Sequence, residues 1–461
     1  MSDPGFSIGA APDPQWWRRE PDEAAAVADQ TQGELLSTDA AGSSLPFWAL
    51  MGFTFVLLIA PQNIIPALRP LRLGMLAAGT GLLAMLVDRL GRGLPITVVT
   101  REIKVAGCLL AWAVVTIPLS YWPGGSVNLL LDQYLKTLAI FLLIANAVSS
   151  VRRLRQVAWA LTLMTAPIAV KGMQNFLSGV YVHDGVGEAV KRIVGYEAPL
   201  TQNPNDLALL LNLILPLTAA LFLITPSPAL RATLFGIAVL QVVGIVVTFS
   251  RAGFLTFATT LAVTVLTTSR RLNRRWAWGL LILVMVFTPL LPDDYVSHLF
   301  TIADVNTDPT GSAQGRWDQQ VAAVGYVLNH PIVGAGIGQN ILALNEVLGP
   351  AWLMVHSVYL EYAIDLGLPG LILYLLLFVG SVRSASRVAR LPWDRPGARD
   401  LSILANGIRT SLLAFATAAF FSPVAYHFHF YYFAGLALAV RVIAEGRASA
   451  TSPEQAEGDP A

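Results

Sequence analysis

Residues 231–275 read RATLFGIAVLQVVGIVVTFSRAGFLTFATTLAVTVLTTSRRLNRR. Two apolar runs, each about the 20 residues a helix needs to cross a bilayer, meet at the tight turn Thr248-Phe249-Ser250-Arg251-Ala252-Gly253. Arg231 opens the first run, and Arg270, Arg271, Arg274 and Arg275 close the second. Basic residues collect in cytoplasmic loops, so the turn at Arg251 faces the other side of the membrane. An arginine there needs a reason.

The same alternation runs through the chain. Apolar runs of spanning length begin near Leu45, Leu71, Ile103, Leu129, Val157, Asp206, Arg231, Ala252, Trp276, Leu368, Ile403 and Val424, which predicts an all-α polytopic membrane protein with about twelve transmembrane helices. Clusters at Arg89/Arg92/Arg101/Lys104, Arg152/Arg153/Arg155 and Arg383/Arg387/Arg390/Arg395/Arg399 fall in alternate loops together with Arg270–Arg275. Those loops and both termini are therefore expected on the cytoplasmic side. The composition agrees: 55% of the 461 residues are hydrophobic and 13% charged, outside the range of soluble domains. A net charge of +1, with arginines in short clusters, offers no basic surface for nucleic acid. Cys108, the single cysteine, lies in an apolar run, so no intrachain disulfide is expected. Residues 1–44 and 447–461 lack hydrophobic periodicity and read as disordered cytoplasmic tails flanking a membrane domain at 45–446. The tail before the first run is acidic, which argues against a cleavable signal peptide.

Several cations break the alternation. Arg69, Arg72, Lys191, Arg192, Arg251 and Arg316 fall on the outer side, and Lys136, Lys171 and Arg409 within or at the end of spans. Intramembrane charge is costly and tends to face a partner or a substrate path. The outer loops include a long one at about 292–356, where function is expected to concentrate. Trp317, Val321, Val324 and Leu328 recur there at helical spacing, predicting an amphipathic helix at the membrane surface that Arg316 opens. A second helix is expected from His356 to about Leu366, with Gly367 and Pro369 turning the chain into the next span.

Chemistry can be assigned from residue type. Arg251, on the wrong side to be a cytoplasmic anchor, suits an anion site, since a guanidinium keeps its proton and presents a fork to phosphate oxygens; Arg316 can add to it or act as a helix cap or surface ion pair. His356 is the side chain fitted to take a proton from a hydroxyl near neutral pH, although a lone histidine is more often structural. Glu361 and Asp365 fall about 140° and 180° around a regular helix from His356 and are expected to hold that helix in place. His427 and His429, in Tyr426-His427-Phe428-His429-Phe430, read as interfacial aromatic-belt residues, with His427 also a candidate lining for an acceptor path. Gly334-Ala335-Gly336-Ile337-Gly338 has neither the strand nor the Gly-Lys-Ser/Thr of a nucleotide loop and reads as a tight turn. Asp304-Val305-Asn306-Thr307-Asp308 starts like a calcium loop, but Pro309 and Gly315 replace its glycine and glutamate. No metal and no cofactor is expected.

Taken in order, Asn203-Pro204-Asn205-Asp206-Leu207-Ala208, Ser250-Arg251-Ala252-Gly253, Gly315-Arg316-Trp317, His330-Pro331 with its glycines, and His356-Ser357-Val358-Tyr359-Leu360 through Gly370 resemble the O-antigen ligase and polymerase superfamily of bacterial membrane glycosyltransferases. The resemblance covers about residues 200–380. It departs at Ser357, where the usual pattern has asparagine.

The resemblance implies a lipid-phosphosugar glycosyltransferase (GT-C-like) fold in the bacterial inner membrane, acting on the periplasmic face. It implies a polyprenyl-diphosphate-linked glycan as donor, metal-independent transfer with inversion, Arg251 and Arg316 on the diphosphate, and His356 assisting the acceptor. Asn205, Lys136, Lys171, Glu361, Asp365 and His427 are candidate acceptor-side or supporting residues. The acceptor is the lipid A core if the protein is a ligase of lipopolysaccharide biosynthesis. It is a lipid-linked repeat unit if the protein polymerises O-antigen or exopolysaccharide; the order of motifs favours the ligase. A polytopic transporter or flippase would also use the spans, Lys136 and Lys171. The long loop after the ninth span, instead of a central cytoplasmic connection, argues against it.

Overall fold

The computed structural model describes residues 43–181, 192–268, 312–350, 352–392 and 397–450. The expected span near Trp276, the Asp304–Asp308 stretch, Lys191 and residues 1–42 and 451–461 lie outside them.

Among the described residues the architecture is helical, and an isolated bridge between Tyr181 and Ile193 pairs extended backbone. The order is α1 (Leu45–Ile59), α2 (Leu73–Gly91), α3 (Arg101–Thr116), α4 (Pro123–Ala147), α5 (Val151–Leu177), α6 (Pro204–Ile224), α7 (Pro228–Val247), α8 (Arg251–Thr268), α9 (Ser312–Asn329), α10 (Asn340–Leu348), α11 (Val358–Ala389), α12 (Ala398–Ala418) and α13 (Phe428–Ala450). α4 passes through a π turn at Leu130–Tyr134.

Eight helices are long and apolar enough to cross a membrane: α2 with the turn before it, α3, α4, α6, α7, α11, α12 and α13. α1 and α8 are apolar but shorter, and α5, though long, carries Arg152, Arg153, Arg155 and Lys171. Of the about twelve expected spans, eight are found among the described residues; the runs at α1 and α8 form shorter helices, that at α5 is diluted by charge, and the one near Trp276 lies outside the described residues. The chain is a multi-pass helical membrane protein.

Helix starts follow from local sequence. In lipid every backbone donor needs a partner, and Thr100, Ser150 and Ser227 each accept a first-turn N–H of α3, α5 and α7. Pro204 and Pro228 occupy first-turn positions whose N–H has no intrahelical acceptor. The kink expected at Gly367 is present within α11, where φ is 66°. A Cβ there would also stand 2.2 Å from the Ile332 carbonyl oxygen, so conformation and space both require glycine.

α11 packs against α3, α12 and α13, while α6 lies between α7 and α12. The buried core between α4, α11 and α13 includes tyrosine hydroxyls that satisfy one another: Tyr362 lies 2.8 Å from Tyr431, which donates to Tyr134 at 3.1 Å. At the end of the bundle assigned to the cytoplasm, buried Glu102 of α3 accepts from Ser384 of α11 at 2.8 Å and pairs with Arg441 of α13 at 3.3 Å. Arg441 therefore joins helices as well as marking a side.

Candidate functional site

Two groups of polar side chains form at the end of the bundle that the arginine pattern assigns to the outer side. The first is built by helix starts. Asn203 caps α6 by accepting the Asn205 N–H at 2.8 Å. The Asn205 side-chain oxygen then accepts from Arg192 Nη2 at 2.7 Å and from Ser250 Oγ at 2.8 Å. Ser250 Oγ in turn accepts the Gly253 N–H at 3.0 Å and so caps α8, whose first residue is Arg251.

The turn before α8 is sharp. Phe249 takes a left-handed φ of 52° and stacks on Phe176 with ring centroids 5.9 Å apart. A Cβ at Gly253 would stand 2.6 Å from Ala208 Cβ, and Asn212 Nδ2 donates to the Gly253 carbonyl at 3.0 Å. Glycine thus lets α8 start directly against α6. Asn205 brackets Arg192 to the Ser250–Arg251 turn, a role that sequence reasoning missed for Arg192. The legible signal was the Asn-Pro-Asn cap.

The second group joins α9 to the approach of α11. Sequence reading had Arg316 opening its helix, but α9 begins at Ser312 and Arg316 sits in the second turn. The preceding loop has too little periodicity to mark a start. His356 Nδ1 lies 3.3 Å from Oε1 of Gln319, a buried residue of α9 that sequence reasoning also missed. It stands three positions after Arg316, the one available hint. With Oε1 towards the ring, Nδ1 donates and Nε2 is left as the proton acceptor. Burial, and then the Arg316 guanidinium, push the His356 imidazole down to about 4, against an opposing backbone hydrogen bond at Met354. Both perturbers favour the neutral ring.

The outer end of α12 connects the two groups. Val358 N–H donates to the Ala419 carbonyl at 2.8 Å, Tyr359 to Ala416 at 2.9 Å and Gln320 to Phe420 at 3.4 Å. From the other side, Thr259 of α8 meets Thr417 at 2.9 Å.

The remaining candidates divide. Glu361 and Asp365 are buried and each holds a backbone N–H: Glu361 Oε2 accepts the Ala425 N–H at 3.1 Å, and Asp365 Oδ2 accepts from Gly338 N–H at 2.8 Å and from the Tyr426 hydroxyl at 3.0 Å, while Asp365 Oδ1 has no hydrogen-bond partner among the described residues. These bonds tie α11 to the glycine turn and to the loop before α13. Within that turn Gly336 has φ 98°, and a Cβ would stand 2.1 Å from Ser120 Oγ, which explains the glycine as close backbone approach.

The aromatic-belt reading fails for His429, which is 4% exposed; His427 is half-buried, and burial lowers its imidazole below its ordinary range. Alternation in sequence cannot tell a belt from a loop that folds inward. Lys136 pairs with Asp132 of its own helix at 3.3 Å, and Lys171 is exposed on α5. The structure brings neither lysine into hydrogen-bond or ion-pair contact with the two groups. Arg409 Nη2 donates to Asn406 within α12 at 2.6 Å.

No curated protein matches the chain. Residues 236–375 match the family model described as O-antigen ligase. That stretch contains Arg251, Arg316, Gln319 and His356, and it leaves out Arg192 and Asn205. Over that stretch, with the motifs in that order on a multi-pass helical bundle, the chain is similar to the O-antigen ligase family.

Proposed function

We propose that this protein is an inverting glycosyltransferase of the GT-C-like type, working at the periplasmic face of the inner membrane. It moves a glycan from a polyprenyl-diphosphate carrier to an acceptor hydroxyl, and the ligase reading, with the lipid A core as acceptor, is preferred. The observation that carries the mechanism is His356 seated against α9, its Nδ1 beside Gln319 and its ring kept neutral by burial and then by Arg316.

The acceptor oxygen attacks the anomeric carbon, its proton passes to Nε2 of His356, and the bond from that carbon to the diphosphate oxygen breaks. Negative charge then grows on the diphosphate, and guanidinium groups aimed at it stabilise the transition state. Arg251 and Arg316 supply that charge in this reading, and Arg192 supports it through the Asn205 bracket. In this reading displacement takes one step, with Glu361 and Asp365, each holding a backbone N–H through one oxygen, acting as supports of α11 and not as nucleophiles.

A ring held near pH 4 is neutral and able to accept a proton at neutral pH, yet a weak base. Binding a diphosphate beside Arg316 offsets the guanidinium field and raises ring basicity when it is needed. Accordingly, Arg316→Gln is expected to move the His356 titration midpoint upward from about 4, because one of the two causes of its depression is gone. The measurement is carbethoxylation of His356 as a function of pH, read by peptide mass spectrometry. An unmoved midpoint removes Arg316 from the environment of the ring.

The glycan profile of a deletion strain tests the function. Under the ligase reading, long polymer persists on its polyprenyl carrier and outer-membrane lipid lacks it. Single repeat units with no long chains assign polymerisation instead, and an unchanged profile of both lipid and secreted polymer overturns the glycosyltransferase reading.

A further inference from the structure

We propose that α9 is seated in the outer leaflet of the membrane as an interfacial helix, and that this seat holds Arg316 and Gln319 against His356. The helix has two faces. Gln319, Ala322, Ala323 and Tyr326 are buried, and α9 packs on α10 and α11. At 100° per residue, Trp317, Val321, Val324 and Leu328 fall within an arc of about 60° on the opposite side. All four are exposed, Leu328 at 75%. An apolar stripe about 16 Å long, from Trp317 to Leu328 at 1.5 Å per residue, is not left in water without a partner.

Continuity identifies the partner. The Leu368 N–H donates to the Pro331 carbonyl at 2.8 Å, and Gly367 lies against the Ile332 carbonyl, so the segment after α9 is fastened to α11 where its long apolar part begins. Ile332 is 63% exposed, and Leu368 and Ile372 are exposed on α11, a helix apolar and long enough to cross the bilayer. The exposed apolar surface of a membrane-spanning helix thus continues through Ile332 towards α9. A surface that continues a lipid-facing one faces lipid. The stripe itself carries no ionisable group, as insertion among acyl chains requires.

The seat has a consequence for the other face of the helix. Gln319 reaches His356 at 3.3 Å and Arg316 acts on the same ring. Tilting α9 out of the leaflet would carry both away from a histidine fixed by α11 and α12. This coupling rests on the proposed function, whereas the seat itself does not.

The test uses the full chain in lipid nanodiscs, with Cys108→Ala removing the native thiol. A nitroxide is attached at Val324→Cys or Val321→Cys, and at Asp318→Cys on the flank of the helix. Power-saturation electron paramagnetic resonance is expected to show Val324 and Val321 labels colliding with oxygen in preference to a water-soluble nickel chelate, and the Asp318 label showing the reverse. Preference for nickel at Val324 overturns the seat. So does protection from both reagents, which would mean cover by protein, a second copy included.

The coupling is read separately with Val324→Ser/Leu328→Ser, two exposed positions whose replacement leaves the buried face intact. If the leaflet seat positions the site, this variant loses about tenfold or more of its glycan transfer, a loss of 1.4 kcal/mol or greater. Full transfer in a variant whose spin label has left the leaflet overturns the coupling. Failure of the proposed function would show as no transfer by the unsubstituted protein, an outcome separate from the spin-label result.

Discussion

Replacing His356 with alanine is expected to cut glycan transfer by about 10²–10⁴-fold, the usual contribution of a positioned general base, while membrane levels and donor binding stay near normal. The fold does not depend on the imidazole. Val358 and Tyr359 bond to the end of α12, and Glu361 holds the Ala425 N–H, whether or not residue 356 carries a ring. Donor binding should survive because the proposed diphosphate ligands are arginines on α8 and α9. His356→Gln should be as inactive as the alanine variant, since an amide can hydrogen-bond but cannot take the proton.

Gln319 sharpens the case. Its oxygen lies 3.3 Å from Nδ1 and in the proposed mechanism orients the ring, so Gln319→Leu should lower kcat and leave donor affinity in place, as expected of a positioning residue. The checking measurement is turnover of purified lipid-linked glycan alongside an equilibrium donor-binding assay. A His356→Ala variant that no longer binds donor would transfer the residue to the anion site and undo the division of roles.

What could be read from sequence follows the range of the interactions involved. Hydrophobic runs and arginine clusters are local signals, and they located helices at α1 to α8 and α11 to α13 because bilayer thickness imposes a length on each. The kink at Gly367 was equally local, a glycine and a proline in succession. Whether a run is a complete span was less legible: α5 is diluted by Arg152, Arg153, Arg155 and Lys171, and α8 is short. The site was half legible. Arg251 and His356 stood out because charge and imidazole are anomalous beside lipid. Gln319 did not, and Arg192 stood out only as an outer-side cation without a role, since their roles come from contacts with His356 and Asn205 across 37 and 13 positions of chain. The inward burial of His429 comes likewise from how α13 meets its neighbours, which alternation of aromatic residues does not encode.

Arg251→Ala is expected to lower transfer by about 10²–10³-fold, the loss typical when one donor to a developing negative charge is removed from a water-excluded site. The turn itself should hold without the guanidinium. Ser250 caps α8 through the Gly253 N–H, Asn212 grips the Gly253 carbonyl, and Asn205 binds Ser250. A normal amount of folded protein in the membrane is therefore expected, and the defect should lie in chemistry and donor affinity. Arg251→Lys should recover little, because a point charge on a flexible stem cannot match two phosphate oxygens as the planar fork does. Arg192→Ala should be milder and should act through the bracket: with Asn205 still bonded to Ser250, Arg251 keeps its backbone position. Asn205→Ala, which releases Arg192 and Ser250 together, should be more damaging than Arg192→Ala. Single-turnover rates and donor dissociation constants for these four variants decide the matter. Retained turnover in Arg251→Ala would remove that arginine from the reaction and leave its place at the outer turn to be explained as an ordinary surface charge.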